Sequence, residues 1–278
     1  MPYEEHPLLT NPKGKNLKIW RYMDFTKLVS LLQKEKLFFP STRTLKKIDP
    51  WEGTYLKKSL EYRLAEDCKF MQMKGEKPTY EKIKDMSEKW NNCYENFINL
   101  NCISCWHYNS IESAAMWRLY LKSNEGIAIQ TDVKSIKRAF ANSDSKVYFS
   151  KIWYKDYEND IFYSKDVLKS VGYRNANLLI PFICKRKNYE HEKEYRAIVT
   201  VENNNKEQIN FAKENGGIFV PVDLKLLIKK IILAPGSPPW FKELVEGTLK
   251  TYNFDVEVVP SVVDDEPYKF DLEPYKNV

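Results

Sequence analysis

Arg186-Lys-Asn-Tyr-Glu-His-Glu-Lys-Glu-Tyr-Arg-Ala-Ile-Val-Thr-Val201 is the stretch on which the fold turns. Its second half, residues 195–201, is rich in aromatic and β-branched side chains and reads as a strand. Side chains alternate between the faces of a strand. Extended through the whole stretch, that alternation puts Glu190, Glu192, Glu194 and Arg196 on one face. His191, Lys193, Tyr195, Ala197 and Val199 fall on the other, increasingly apolar face. Two carboxylates two residues apart on a strand stand roughly 6–7 Å apart. Their repulsion is relieved only by a cation, a hydroxyl or a proton between them. Such a pair is either a reactive site or a solvated strand edge with surface ion pairs.

Working outward, 278 residues with 43% hydrophobic and 14% aromatic content can build a packed core. No apolar run approaches a membrane span, and the acidic start Met1-Pro-Tyr-Glu-Glu-His6 lacks the apolar core of a secretory signal. The expectation is a cytoplasmic protein. A net charge of +6 permits a nucleotide or nucleic-acid partner without requiring one. Five cysteines, an odd number, point to reduced thiols. Cys102 and Cys105 flank Ile103 and Ser104; on a strand they face opposite ways and cannot share a metal. No metal site is expected.

Along the chain, residues 1–16 read as a loose lead-in and 17–23 as a strand. A helix over 25–35 follows, capped by Asp24 and buried through Leu28, Leu31 and Leu32. A strand at 37–40 leads to a loop containing Asp49-Pro-Trp-Glu-Gly53, either an Asp-Pro turn or the rim of a site. Residues 54–100 read as two or three inserted helices, with a stripe of Ile83, Met86, Trp90, Tyr94 and Phe97. Strands are expected at 101–106, 126–130, 146–154, 217–221, 228–234 and 254–259, and helices at 112–122, 132–142, 156–188 and 241–251. Asn109 with Glu112 looks like a capping box. Residues 202–215 read as polar loop and 261–278 as an irregular arm. About eight short strands, without strict βαβ alternation or a glycine-rich phosphate loop, favour α+β. One domain over 1–278 is expected, with its core in 17–53 and 101–260, a helical insertion at 54–100 and a C-terminal arm at 261–278.

Several pieces together resemble the bacterial family known as domain of unknown function 2971. They are Trp20-Arg-Tyr22, Asp49-Pro-Trp-Glu-Gly53, Ser104-Cys-Trp106, Glu112-Ser-Ala-Ala-Met-Trp117 with Tyr120, His191-Glu-Lys-Glu-Tyr-Arg196 and Ile231-Ile-Leu-Ala-Pro235. A further resemblance, in the order of a strand Arg, a strand Ser and a late Glu-x-Glu, is to the R-S-E class of ADP-ribosyltransferases. The middle strand departs from that pattern, with Ser104-Cys-Trp106 where the class has Ser-Thr-Ser. The resemblance implies a split-sheet ADP-ribosyltransferase-like core and NAD as substrate. It also implies Arg21 on a phosphate, Ser104 shaping the nicotinamide-ribose pocket, Glu194 on the ribose and Glu192 orienting the acceptor. Tyr22, Trp117 and Tyr120 are candidate stacking partners for the bases, with core packing as the alternative for each. Fixed carboxylates suit the cationic transition state of nicotinamide–ribose cleavage, and a guanidinium suits a pyrophosphate.

Three functions follow as expectations. The first is an NAD-consuming ADP-ribosyltransferase or NAD glycohydrolase, which in bacteria suggests a toxin or anti-phage effector. Its acceptor would be protein, nucleic acid or water, and an antitoxin or regulatory partner would fit. The second is a non-catalytic nucleotide or nucleic-acid binding module. The third is a metal-dependent hydrolase using Asp49, Glu52, Glu192 and Glu194. A Cys105–His107 nucleophile pair on one strand face is a further possibility.

Overall fold

Apolar residues at every second position of seven segments build one large mixed sheet. The computed structural model describes residues 8–14, 17–162, 179–202 and 204–267. The described strands are β1 (Lys18–Asp24), β2 (Lys36–Pro40), β3 (Asn101–Asn109), β4 (Gly126–Thr131), β5 (Val147–Lys151), β6 (Trp153–Lys155), β7 (Cys184–Arg186), β8 (Glu194–Thr200), β9 (Gly217–Pro221), β10 (Lys230–Leu233) and β11 (Val258–Val259). The seven-stranded sheet runs β11-β10-β4-β1-β3-β8-β5, and two-stranded ribbons β2-β9 and β6-β7 flank it. All neighbours in the large sheet are antiparallel except β10 and β11. With the helices around it this is an α+β architecture. Among the described residues no helix is long and apolar enough to cross a membrane.

One face of the sheet carries the largest apolar cluster. Ile19, Met23, Cys102, Trp106, Ile127, Ile129, Tyr195, Ala197 and Val199 point into it. The helix Phe25–Lys34 covers it with Leu28, Leu31 and Leu32, and the helix Pro239–Thr251 adds Phe241, Val245 and Leu249. The opposite face has two smaller clusters. Ile103 and Ile198 pack with Leu56, Ile180, Phe182 and Ile183, while Trp20 and Tyr22 pack with Met116, Trp117 and Ala128.

The 54–100 segment is helical as expected, as the two helices Lys57–Met73 and Tyr80–Leu100. Several other expectations change. The segment 146–154 breaks at Ile152, and β6 leaves the main sheet to pair with β7. The described parts of 156–188 are no long helix: a helical turn Ile180–Ile183 feeds directly into β7, and 163–178 lie outside the described residues. The stretch read as polar loop contains the helix Lys206–Asn215, capped by Asn205 and closed by Gly216. The capping box is displaced: Ser113 caps the helix Ala114–Tyr120, which frees Glu112. Of the C-terminal arm, 268–278 lie outside the described residues.

Candidate functional site

The acidic stretch is a strand only from Glu194 onward. Residues Lys187–Glu192 form a 3-10 helix, and Lys193 closes it in the left-handed region at φ 40°. The charges at every second position imitated a strand period. The bend changes the spacing of the acids, because Glu192 is delivered by a turn and Glu194 by the first residue of β8. Both are buried, at 6% and 2% exposure.

Lys185 on β7 sits between them, with Nζ 2.8 Å from Glu192 Oε2 and 2.5 Å from Glu194 Oε1. Arg196 lies two residues along β8, on the same face as Glu194. Its Nε donates to Glu194 Oε2 at 2.6 Å, and its two terminal nitrogens donate to both oxygens of Glu52 at 2.6 and 2.9 Å. Glu52 is the acid of the Asp49-Pro-Trp-Glu-Gly53 turn. Gly53 closes that turn at φ 68°, where an added Cβ would stand 2.6 Å from Thr42 Cγ2. The turn thus brings a distant carboxylate onto the strand's own arginine. Strand alternation correctly put Arg196 on the face of Glu194, whereas Lys185 lies in a segment expected to be helix and carried no signal.

The cluster holds three carboxylates, Glu52, Glu192 and Glu194, against two cations, Lys185 and Arg196. A buried excess charge is costly, so one proton on a carboxylate restores neutrality. Glu192 takes it. Burial and the neighbouring Glu194 raise its pKa to about 7, while Lys185 pulls the other way. Burial would also raise Glu194, but Arg196 and Lys185 outweigh it and hold that carboxyl well below the usual range. Two carboxyls with divergent proton affinities at close quarters are the usual mark of an acid–base site.

Two further groups fix Glu192. His107, opposite Glu194 in the β3–β8 register, approaches the Glu192 carbonyl with Nδ1 at 2.6 Å. A carbonyl only accepts, so Nδ1 carries the hydrogen. Burial lowers the His107 pKa, which favours the neutral ring. Tyr120, 40% exposed at the end of the helix Ala114–Tyr120, has its hydroxyl 3.5 Å from Glu192 Oε2. Its hydroxyl pKa is raised well above normal by burial, then by Glu194 and Glu192.

The other candidates go elsewhere. Pairing of β1 with β3 covers Lys18, Ile19 and Trp20. Past that point the guanidinium of Arg21 occupies the gap between the two strands. It donates to the Ser104 hydroxyl and, at 3.4 Å each, to the carbonyls of Cys105 and Phe38. It also lies 5.5 Å from the Trp106 ring centroid. Strand alternation puts Ser104 on the face of the large core, opposite Ala197, and Glu194 on the other face, opposite His107. Arg21 and Ser104 are therefore together, and Glu192, Glu194 and Tyr120 are together, on opposite sides of the sheet.

Tyr22 and Trp117 are packed. Their rings meet edge-on at 4.8 Å, Tyr22 accepts from the Ser113 amide at 2.8 Å, and Trp117 Nε1 donates to Glu112 at 2.7 Å. Exposure of 5% and 3% leaves neither a face for a base. Cys105 and His107 do share a face, but burial and Glu194 push the Cys105 thiol up, so it stays protonated. In the set considered for a metal, side-chain cations already meet each carboxylate: Arg186 meets Asp49 at 2.8 Å, Arg196 meets Glu52, and Lys185 meets Glu192 and Glu194. Among the described residues no group of three His, Cys, Asp or Glu side chains is arranged to hold a metal ion.

The chain is thus an α+β protein with two buried carboxyls, Glu192 and Glu194, bridged by Lys185 at the edge of β8. Residues 116–197, which include Tyr120, Lys185, Glu192 and Glu194, match the family described as protein of unknown function (DUF2971). No curated protein and no solved structure matches the chain.

Proposed function

We propose that Glu192 is the proton-transferring group of an enzyme that cleaves the nicotinamide–ribose bond of NAD, transferring ADP-ribose to water or to an acceptor hydroxyl. The observation that carries this reading is the Glu192–Lys185–Glu194 triplet, in which one carboxyl is balanced near neutral pH and its neighbour is held ionised. A general base works best with a pKa near the operating pH. As the bond to nicotinamide breaks, its electron pair leaves with the nicotinamide and positive charge develops on the ribose. The acceptor oxygen then bonds to the ribose carbon and gives its proton to the Glu192 carboxylate. Glu194, with Lys185 and Arg196 on its oxygens, supplies a fixed negative field for the cationic transition state.

One observation favours a second reading, a nucleotide-binding module without turnover: both oxygens of Glu194 are already taken by protein cations at 2.5 and 2.6 Å. The deciding experiment is incubation with NAD and quantification of free nicotinamide. The enzyme reading expects release by the wild type that falls about a hundredfold or more in Glu192→Gln. Binding of NAD without release, equal in wild type and variant, supports the module instead.

A further inference from the structure

The turn that supplies Glu52 also exposes an aromatic surface which the acid cluster does not use. Trp51 is 46% exposed, although it is the largest side chain of its loop. Its ring meets Tyr157 edge-on at 5.7 Å, and the Arg186 guanidinium lies 5.6 Å from its centroid. Arg186 is also 5.4 Å from the ring centroid of Tyr189.

Around this ring, buried polar atoms lack partners among the described residues. Asp49, 4% exposed, uses Oδ1 twice, accepting from the Trp51 amide at 3.1 Å and from Arg186 Nη2 at 2.8 Å. Its Oδ2 accepts from nothing described. The hydroxyl of Tyr157, 6% exposed, and Arg186 Nε are likewise without a described partner. Leaving such buried atoms without a partner is costly. Such orphans call for an explanation: two belong to side chains packed against the exposed Trp51 ring and the third to Asp49, which accepts from the Trp51 amide.

We infer that Trp51, Asp49, Tyr157 and Arg186 form a binding site for an amino-bearing nucleobase, adenine above all. The chemistry required is a flat π-face for Trp51, an N–H for Asp49 Oδ2 and an acceptor for the Tyr157 hydroxyl. Adenine offers its ring, its 6-amino group and a ring nitrogen beside that group. Stacking on an exposed aromatic tolerates any base, so the amino group supplies the discrimination. The site is joined to the acid cluster through consecutive residues, since Trp51 precedes Glu52 and Arg186 follows Lys185. It does not depend on bond cleavage at Glu192.

AMP is the probe, because it has no nicotinamide–ribose bond. Titration calorimetry on the full chain is expected to show AMP binding that weakens about tenfold or more in Trp51→Ala. Asp49→Asn, which turns the free acceptor into a donor or removes its charge, is expected to weaken it similarly. IMP, which lacks the amino group, is expected to bind more weakly than AMP to the wild type, and Glu192→Gln is expected to bind AMP like the wild type. Trp51→Ala removes a half-exposed ring, so a retained melting temperature separates loss of the site from loss of the fold. No AMP binding, or equal binding by the wild type and a folded Trp51→Ala, overturns the inference whatever the outcome with NAD.

Discussion

The two sides of the β1–β3–β8 strands handle charge in opposite ways. On the large-core side a single guanidinium, Arg21, sits among neutral acceptors: a hydroxyl, two carbonyls and an indole ring. On the other side two cations and three carboxylates are packed together. The first arrangement is a plug between strands that stop pairing. The second is an overfilled acid cluster that needs a proton. The proposed chemistry is assigned to the second side, where the Glu192 carboxyl changes protonation state near neutral pH.

The sharpest way to break that contrast is to remove one cation from each side. Arg196→Ala strands Glu52 and Glu194 as buried charges and is expected to cost about 3–5 kcal/mol in urea denaturation. Arg21→Ala leaves neutral acceptors, and about 1–2 kcal/mol is expected. Equal losses would erase the distinction.

The acid side should also carry a pH signature that the Arg21 side lacks. Glu192 rises from the ordinary 4.5 to about 7 on folding. The folded state therefore holds a proton that the unfolded chain releases, so this group makes stability fall as pH rises from 4.5 through 7. At 1.36 kcal/mol per pH unit the fall is roughly 3 kcal/mol. Glu194 has the opposite sign: its contribution is present above the ordinary carboxylate range and is lost as pH drops through its lowered folded value. Denaturation midpoints across this range should lose the falling component in Glu192→Gln and keep it in Arg21→Ala.

The smallest effect concerns how Tyr120 is held over Glu192. Glu112, buried and with no ion pair among the described residues, accepts from Trp117 Nε1 and Ser261 Oγ at 2.7 Å each and from the Val262 amide at 2.6 Å. It ties the later chain to the helix that ends in Tyr120. Ser261→Ala is expected to cost about 1 kcal/mol, read as a shift of the urea denaturation midpoint.

Much of the sheet was legible because its signals are local. The three leucines of the helix Phe25–Lys34 and the β-branched run of β8 each need only their own neighbours. The opposed faces of Cys102 and Cys105 follow from strand alternation alone, and the structure places Cys102 in the large core and Cys105 against the other side. The site was legible only in part. Glu192 and Glu194 stood out, yet their strand spacing was an illusion of alternating charge, because nothing local marks Lys193 for the left-handed region. Lys185 could not be placed without knowing that β7 leaves the expected helix. Arg21, Ser104 and Glu194 lie on neighbouring strands, but register and parity, which are long-range properties, put the first two behind the sheet from the third.

The account rests on a Glu192 carboxyl that takes up and releases its proton near neutral pH. Carbon-13 NMR of glutamate-labelled protein, with the Glu192 resonance assigned by its absence in Glu192→Gln, measures this directly. The account predicts a side-chain carboxyl that titrates near pH 7, well above the ordinary glutamate range. A Glu192 carboxyl that titrates at the ordinary 4.5 would contradict it.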